Sequence, residues 1–153
     1  MSGLIIQRGC EMKTSKNGID LIKKYEGCKL NAYLCPAKIW TIGYGHTKNV
    51  KAGDKITQEI AEQLLINDLQ EPENAINAYC QHALTQNQFD ALVSFVFNLG
   101  SGAFKSSTLL KRINANMMQL ASLEFCKWNK AGGKVLDGLT KRRAEEKSLF
   151  LKK

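Results

Sequence analysis

Three residues define the chemistry open to this chain: Glu26, Cys35 and Thr41, set within Tyr25-Glu-Gly, Tyr33 and the run Trp40-Thr-Ile-Gly-Tyr-Gly-His46-Thr47. A carboxyl group, a thiol and a hydroxyl at this spacing suit hydrolysis of a glycosidic bond. That reaction needs an acid to protonate the departing oxygen and a second group to deliver or stabilise the attacking water on the other face of the sugar. Ile19 and Ile22 precede Glu26 by seven and four residues, so on a helix the three share one stripe. Glu26 is therefore expected among apolar neighbours, where burial disfavours the charged form and keeps a general acid protonated. Cys35 brings a thiol with an ordinary pKa of about 8.5, partly thiolate near neutrality and more so beside a cation or helix terminus. Such a group accepts a proton from water, shields positive charge on the sugar, or attacks carbon to form a covalent glycosyl-enzyme.

The elements that would position these groups follow from pattern. Ser15 or Asn17 is available to cap a helix from about Gly18 to Gly27, with Gly27 as its stop. From Tyr33 to Thr47 the pattern changes to a short antiparallel sheet, with Pro36 in a turn and Gly43 and Gly45 on one side, leaving an open groove beside Glu26. Thr57 can cap a long helix reaching Tyr79, which Pro72 should kink or break. Thr85 and Gln88 make a capping box before Phe89, Leu92, Val93, Val96 and Phe97, and Gly100 and Gly102 end that helix. Ser106 or Ser107 starts a shorter helix; others run from about Met117 to Trp128 and from about Thr140 to Leu151, with a Gly132-Gly133 turn between. The reading is one α+β, mostly helical domain over residues 1–153. It divides into a loose arm (1–16), an α/β lobe (about 17–56), a connecting helix (about 57–79) and a helical lobe (about 80–153), with a ligand cleft between the lobes.

A net charge of +8 should attract polyanions, either nucleic acid or the anionic bacterial envelope. The basic residues concentrate at Lys141, Arg142, Arg143, Lys147, Lys152 and Lys153, interleaved with Glu145 and Glu146, which also suits a solvated helix face of i,i+3 and i,i+4 pairs. The five cysteines (Cys10, Cys28, Cys35, Cys80, Cys126) show no metal-like spacing and read as free thiols; no metal or organic cofactor is implied. Leu4 to Ile6 is too short an apolar run for a signal-peptide core or a membrane span, so neither export nor membrane insertion is expected.

Taken together, these blocks resemble the phage-type lysozymes, or endolysins, which hydrolyse the glycan strands of bacterial peptidoglycan. The resemblance covers the chain from about Asn17 onward. It rests on Glu26-Gly27, Tyr33, Trp40 to Thr47, Phe97-Asn-Leu-Gly-Ser-Gly-Ala-Phe104, Ser106-Ser-Thr-Leu-Leu110, Trp128-Asn-Lys-Ala-Gly-Gly133, Gly138-Leu139 and Arg142-Arg143. It implies a lysozyme-like fold and cleavage between N-acetylmuramic acid and N-acetylglucosamine. Glu26 would be the general acid, Thr41 would hold the catalytic water, and Cys35 would stand where many members carry aspartate and others cysteine. Tyr33, Gly43, Tyr44, Gly45, Asn98, Phe104 and Arg142 are the expected sugar or wall contacts, with Arg142 and Arg143 alternatively pinning the last helix. His46 reads as structural, bonded to an acid such as Asp68, and Cys28 as a core filler. The implied partner is peptidoglycan met by a monomer held in the host cytoplasm until release, with no nucleic acid. A lytic transglycosylase and a catalytically dead wall-binding module are the alternatives, since no second carboxylate occupies position 35.

Overall fold

The computed structural model describes residues 11–153. Helix α1 (Lys16–Glu26) ends where Gly27 turns the chain at φ 65°. Its expected caps act differently: Asn17 lies inside the helix, and the Ser15 hydroxyl donates to Asp90 instead of capping its own helix. This corrects the expectation of a loose arm up to residue 16. Met12 and Thr14 are also fastened, Met12 N–H to Asn77 Oδ1 at 3.1 Å and Thr14 N–H to Glu73 Oε2 at 2.8 Å. The part of the arm before residue 11 lies outside the described residues.

Strands β1 (Lys29–Leu34) and β2 (Trp40–Gly43) pair antiparallel, with Tyr33 opposite Thr41 and Leu34 opposite Trp40. The strand stops at Gly43, so Gly45 belongs to the following turn rather than to the sheet. The long connecting helix is two helices, α2 (Gln58–Asp68) and α3 (Gln70–Tyr79). Pro72 is the reason: in a continuous helix its ring would meet the Asp68 carbonyl four residues back. The break at Leu69 puts Pro72 in the first turn of α3, where its missing N–H costs nothing.

Helix α4 (Gln86–Leu99) starts from the expected capping box and is buried along Phe89 to Val96. It ends at Gly100; Gly102 falls inside the next short helix, α5 (Ser101–Lys105), and is not a terminator. Helices α6 (Thr108–Asn114, capped by Ser107) and α7 (Met118–Glu124) follow, then one 3-10 turn over Phe125–Lys127. A hairpin of β3 (Lys130–Ala131) and β4 (Lys134–Val135) turns at Gly132-Gly133. Helix α8 (Asp137–Leu151) begins three residues earlier than expected, because Thr140 does not cap; its hydroxyl donates back to the Leu136 carbonyl at 3.2 Å.

Helix α4 is the spine. Helix α8 packs along it on one side and α1 on another, and Gly18 allows the second approach, since a Cβ there would lie 2.7 Å from Thr14 Cγ2 and 2.9 Å from Asp90 Cβ. One apolar cluster runs from Ile22 through Leu65, Leu69 and Phe89 to Phe150. Within it Phe95 meets Phe104, Phe125 and Trp128 edge-on at ring centroids 6.5, 5.5 and 5.6 Å apart. Each such pair adds about 0.5–1.5 kcal/mol beyond area burial. The first helix thus packs with the helical body although it precedes the sheet in sequence. The carboxyl group on its last residue is carried on that rigid body.

Candidate active site

A cleft of about 960 Å3 is lined by Glu26 at the end of α1, by Gly45 to Lys48, by Asn67 and Asp68 of α2, by Gln70 to Pro72 and Asn74 of α3, and by Val96 to Asn98, Gly100 and Ser101. Gly45 faces the acid directly. At φ 78°, it leaves only 3.1 Å between the place of a Cβ and Glu26 Oε2, so any side chain there would press on the carboxyl group. His46 ties the turn to the cleft wall: Nδ1 lies 2.7 Å from Asp68 Oδ2 and Nε2 lies 2.9 Å from the Lys48 carbonyl.

The surroundings of Glu26 differ from the apolar stripe expected from sequence. Ile22 is fully buried, but the Glu26 side chain keeps 20% of its surface exposed and its Oε1 accepts from Arg142 Nη1 at 2.7 Å. A guanidinium, not a hydrocarbon wall, is its closest neighbour, because α8 crosses α4 where the end of α1 arrives. Arg142 therefore does not face the wall's peptide carboxylates, as one expectation had it. Its Nε donates to Ser94 Oγ at 3.3 Å and its Nη2 to the Ser94 carbonyl at 3.2 Å.

Arg143 and Glu146 complete an array whose i,i+3 and i,i+4 pairing the sequence suggested and whose burial it did not. The array contradicts both a solvated helix face and a polyanion patch at this point of α8: the Arg143 and Glu146 side chains are each 0% exposed. Arg143 Nη2 donates to Asn98 Oδ1 at 2.9 Å and to Glu146 Oε2 at 3.1 Å, and its guanidinium stands over the Phe95 ring. Burial pushes Glu146 above the usual carboxylate range while the two arginines pull it back, and burial likewise lowers Arg143 against the pull of Glu146. The pattern Arg142-Arg143-x-x-Glu146 at i,i+3 and i,i+4 was the available signal.

Cys35, Thr41 and Tyr33 form a separate cluster on the β1–β2 hairpin, outside the lining of the cleft just described. Cys35 closes the hairpin, its N–H donating to the Ile39 carbonyl at 3.0 Å and its carbonyl accepting from Lys38 N–H at 2.8 Å. The Ile39 amide does most to hold the thiol below its ordinary value, and the Ala37 amide and the Thr41 hydroxyl add to it. Thr41 itself is 4% exposed, and its hydroxyl lies 3.0 Å from the Ile39 carbonyl. It serves these near neighbours and is screened from an open groove.

Three expected sugar contacts are corrected outright. Gly43 is buried against α2, where a Cβ would meet Ile56 and Ala61 at 3.5 and 3.6 Å. Tyr44 lies in the core, and its hydroxyl accepts from Gln58 Nε2 at 2.8 Å. Phe104 is 0% exposed. Each fails for one reason: a residue's motif neighbours share its stretch of chain but not its side-chain direction. Asn98 and Gly45 do line the cleft, and Tyr33 is exposed on the hairpin. Among the described residues no group of three or more His, Cys, Asp or Glu could hold a metal ion, and no helix is long and apolar enough to cross a membrane. Among the described cysteines, Cys28, Cys35 and Cys126 are free thiols.

Comparison with known proteins identifies the family and the fold. The family model described as phage lysozyme matches residues 23–146. An endolysin of Acyrthosiphon pisum secondary endosymbiont phage 1 is 51% identical over 143 residues, which are 91% of this chain and 98% of the relative. An endolysin of Bacillus phage B103 is 50% identical over 92% of this chain, which spans 54% of that relative. Among solved structures, the muramidase domain of SpmX from Asticaccaulis excentricus superposes with a TM-score of 0.87 at 43% identity, covering 92% of this chain and 99% of that one.

Proposed function

The chain belongs to the phage lysozyme family, and from that premise we propose that Glu26 is the general acid of a peptidoglycan glycosidase whose second catalytic group is the Cys35 thiolate. The enzyme is a glycosidase of the endolysin type and acts on the bacterial cell wall. The bond cut is the β-1,4 link between N-acetylmuramic acid and N-acetylglucosamine. Glu26 donates its proton to the departing glycosidic oxygen; Arg142, already bonded to Oε1, stabilises the carboxylate left behind.

The observation that carries this reading is the pair of opposed microenvironments: a carboxyl group at the cleft with a buried guanidinium behind it, and a partly exposed thiol lowered by backbone amides on the hairpin. A thiolate there accepts the proton of an attacking water, as an aspartate would. Thr41, with its hydroxyl within reach of Cys35, orients the sulfur in this reading rather than the water itself. Gly45, Asn98 and Tyr33 contact the sugar strand, while His46 and Asp68 hold the turn that carries Gly45. The protein acts as a monomer, kept in the host cytoplasm until it is released to the wall.

The test is clearance of purified cell walls under reducing conditions by wild type, Glu26→Gln, Cys35→Ala and Cys35→Asp. Loss in the first two variants with activity kept in Cys35→Asp is expected. An inactive wild type revived by Cys35→Asp would instead identify a wall-binding remnant. Nuclear magnetic resonance of the first-formed anomer checks the route: a water directed by Cys35 gives inversion, and a retained product would sink it in favour of direct attack by sulfur. Mass spectrometry of the fragments excludes a transglycosylase if the new ends carry the added water.

A further inference from the structure

Glu146 is fully buried, lies outside the cleft lining, and takes no part in the steps above. Its reach comes from helix geometry. Four residues after Arg142 and three after Arg143, it lies beneath both guanidinium groups at once. Oε1 is 2.7 Å from Arg143 Nε, and Oε2 accepts from Arg143 Nη2 at 3.1 Å and from Ser94 Oγ at 2.5 Å, 3.5 Å from Arg142 Nε. Each guanidinium then leaves the core for a different part of the cleft. Arg142 ends on Glu26 at 2.7 Å and Arg143 on Asn98 at 2.9 Å.

We propose that Glu146 is a positioning residue of the active site, which through Arg142 and Arg143 fixes both the Glu26 carboxyl group and the Asn98 side chain from beneath the cleft. The inference rests on the reading of Glu26 as general acid. A purely structural role accounts poorly for the arrangement, because a buried ion pair adds less stability than apolar residues of the same volume. Arg143 Nη1 moreover has no hydrogen-bond partner among the described residues, so charge and the Phe95 ring hold that group more than a saturated set of bonds does.

The groups facing Glu146 are Ser94 from α4 and Arg142 and Arg143 from its own helix; Glu26 and Tyr25 of α1 stand beyond Arg142. Every direct contact is a donor. Removing the negative charge leaves two adjacent buried guanidinium groups with Glu26 as their remaining counter-charge. The field of Arg142 at Glu26 is then uncompensated and favours the carboxylate there. Activity that depends on a protonated Glu26 is accordingly lost at lower pH.

The experiment measures kcat and KM on soluble peptidoglycan fragments across pH for wild type, Glu146→Gln, Glu146→Asp and Glu26→Gln, each checked for a cooperative thermal transition. For Glu146→Gln we expect kcat to fall roughly 10- to 100-fold, with a smaller rise in KM as Asn98 loosens. The alkaline limb of the profile should move to lower pH and return toward wild type in Glu146→Asp. A Glu146→Gln enzyme with unchanged kcat and an unmoved limb overturns the inference, and does so alone if Glu26→Gln is dead. Hydrolysis retained by Glu26→Gln overturns the general-acid reading and this inference with it. Should Glu146→Gln fail to fold, the charge-neutral pair Arg143→Met with Glu146→Leu replaces it: a fall in kcat is again expected, and an unchanged kcat overturns the inference.

Discussion

The two sides of the site hold their reacting groups by different means. Glu26, at the end of α1, is reached from below by Arg142, which rests on Ser94 and Glu146; these three are buried and come from α4 and α8, far from α1 in sequence. Cys35 stands at the end of a two-stranded ladder and is served by Ala37, Ile39 and Thr41, all within six residues of it. The helical side is a tertiary device and the hairpin side a local one. A local device forms wherever the hairpin forms, whereas a tertiary device ties activity to the integrity of the α1–α4–α8 packing. Perturbing the first should alter chemistry with little change in stability, and perturbing the second should alter both.

The sharpest break comes at Glu26. Glu26→Gln should lower kcat by about 10²–10⁴-fold, the range of a general acid, and also lower the melting temperature, because the buried Arg142 loses its partner; an unchanged melting temperature would show that the acid stands outside the tertiary device. Next is Glu146→Ala, which strands Arg143 in the core without a counter-charge and should cost about 3–5 kcal/mol in urea unfolding. The same unfolding assay on Cys35→Ala should detect little change, as suits a partly exposed site.

Titration separates the sides further. Alkylation of Cys35 should show a midpoint below that of an ordinary thiol in the folded protein and return upward in urea, since the Ile39 amide that lowers it is lost. A lowered thiol contributes stability above its unfolded pKa and gives it up as pH falls through the folded one. Thr41→Val should raise that midpoint, by less than loss of the Ile39 amide does. Tyr25, behind Arg142 on the helical side, is pushed up to about 12 by burial first and then by its bond to Glu145. The fold keeps this proton after the unfolded chain has released it, so stability should decline as pH rises from 10 through 12. The smallest effect is expected at the surface pair of Lys24 and Glu145, 2.5 Å apart. Lys24→Ala should cost under about 1 kcal/mol and fade with added salt.

Much of this molecule could be read in advance where the signal was local. The Thr85–Gln88 capping box, the Gly27 stop, the Ser107 cap, the hairpin and the apolar face of α4 follow from turn chemistry and periodicity, which operate over a few residues. Glu26 was legible as a candidate acid for the same reason. Its environment was not: the Ile19–Ile22 stripe suggested an apolar pocket, and nothing within one helix reveals that Arg142 arrives from 116 residues away. Tyr44 and Phe104 were misassigned because a motif gives position along the chain, while the packing of α2 and α4 decides which way a ring points.

By itself the sequence determined most of the helices, the Thr85–Gln88 and Ser107 caps, the hairpin that carries Cys35 and the residue types able to cleave a glycosidic bond. Each depends on interactions spanning four residues or fewer, or on the short closure of one turn. Only the tertiary structure decided that α1 lies on α4, that α8 brings Arg142 to Glu26 and Arg143 to Asn98, and that one buried carboxylate at Glu146 stands beneath both. Those contacts depend on how separate apolar faces pack together, and side-chain direction and burial have no value until that packing is complete.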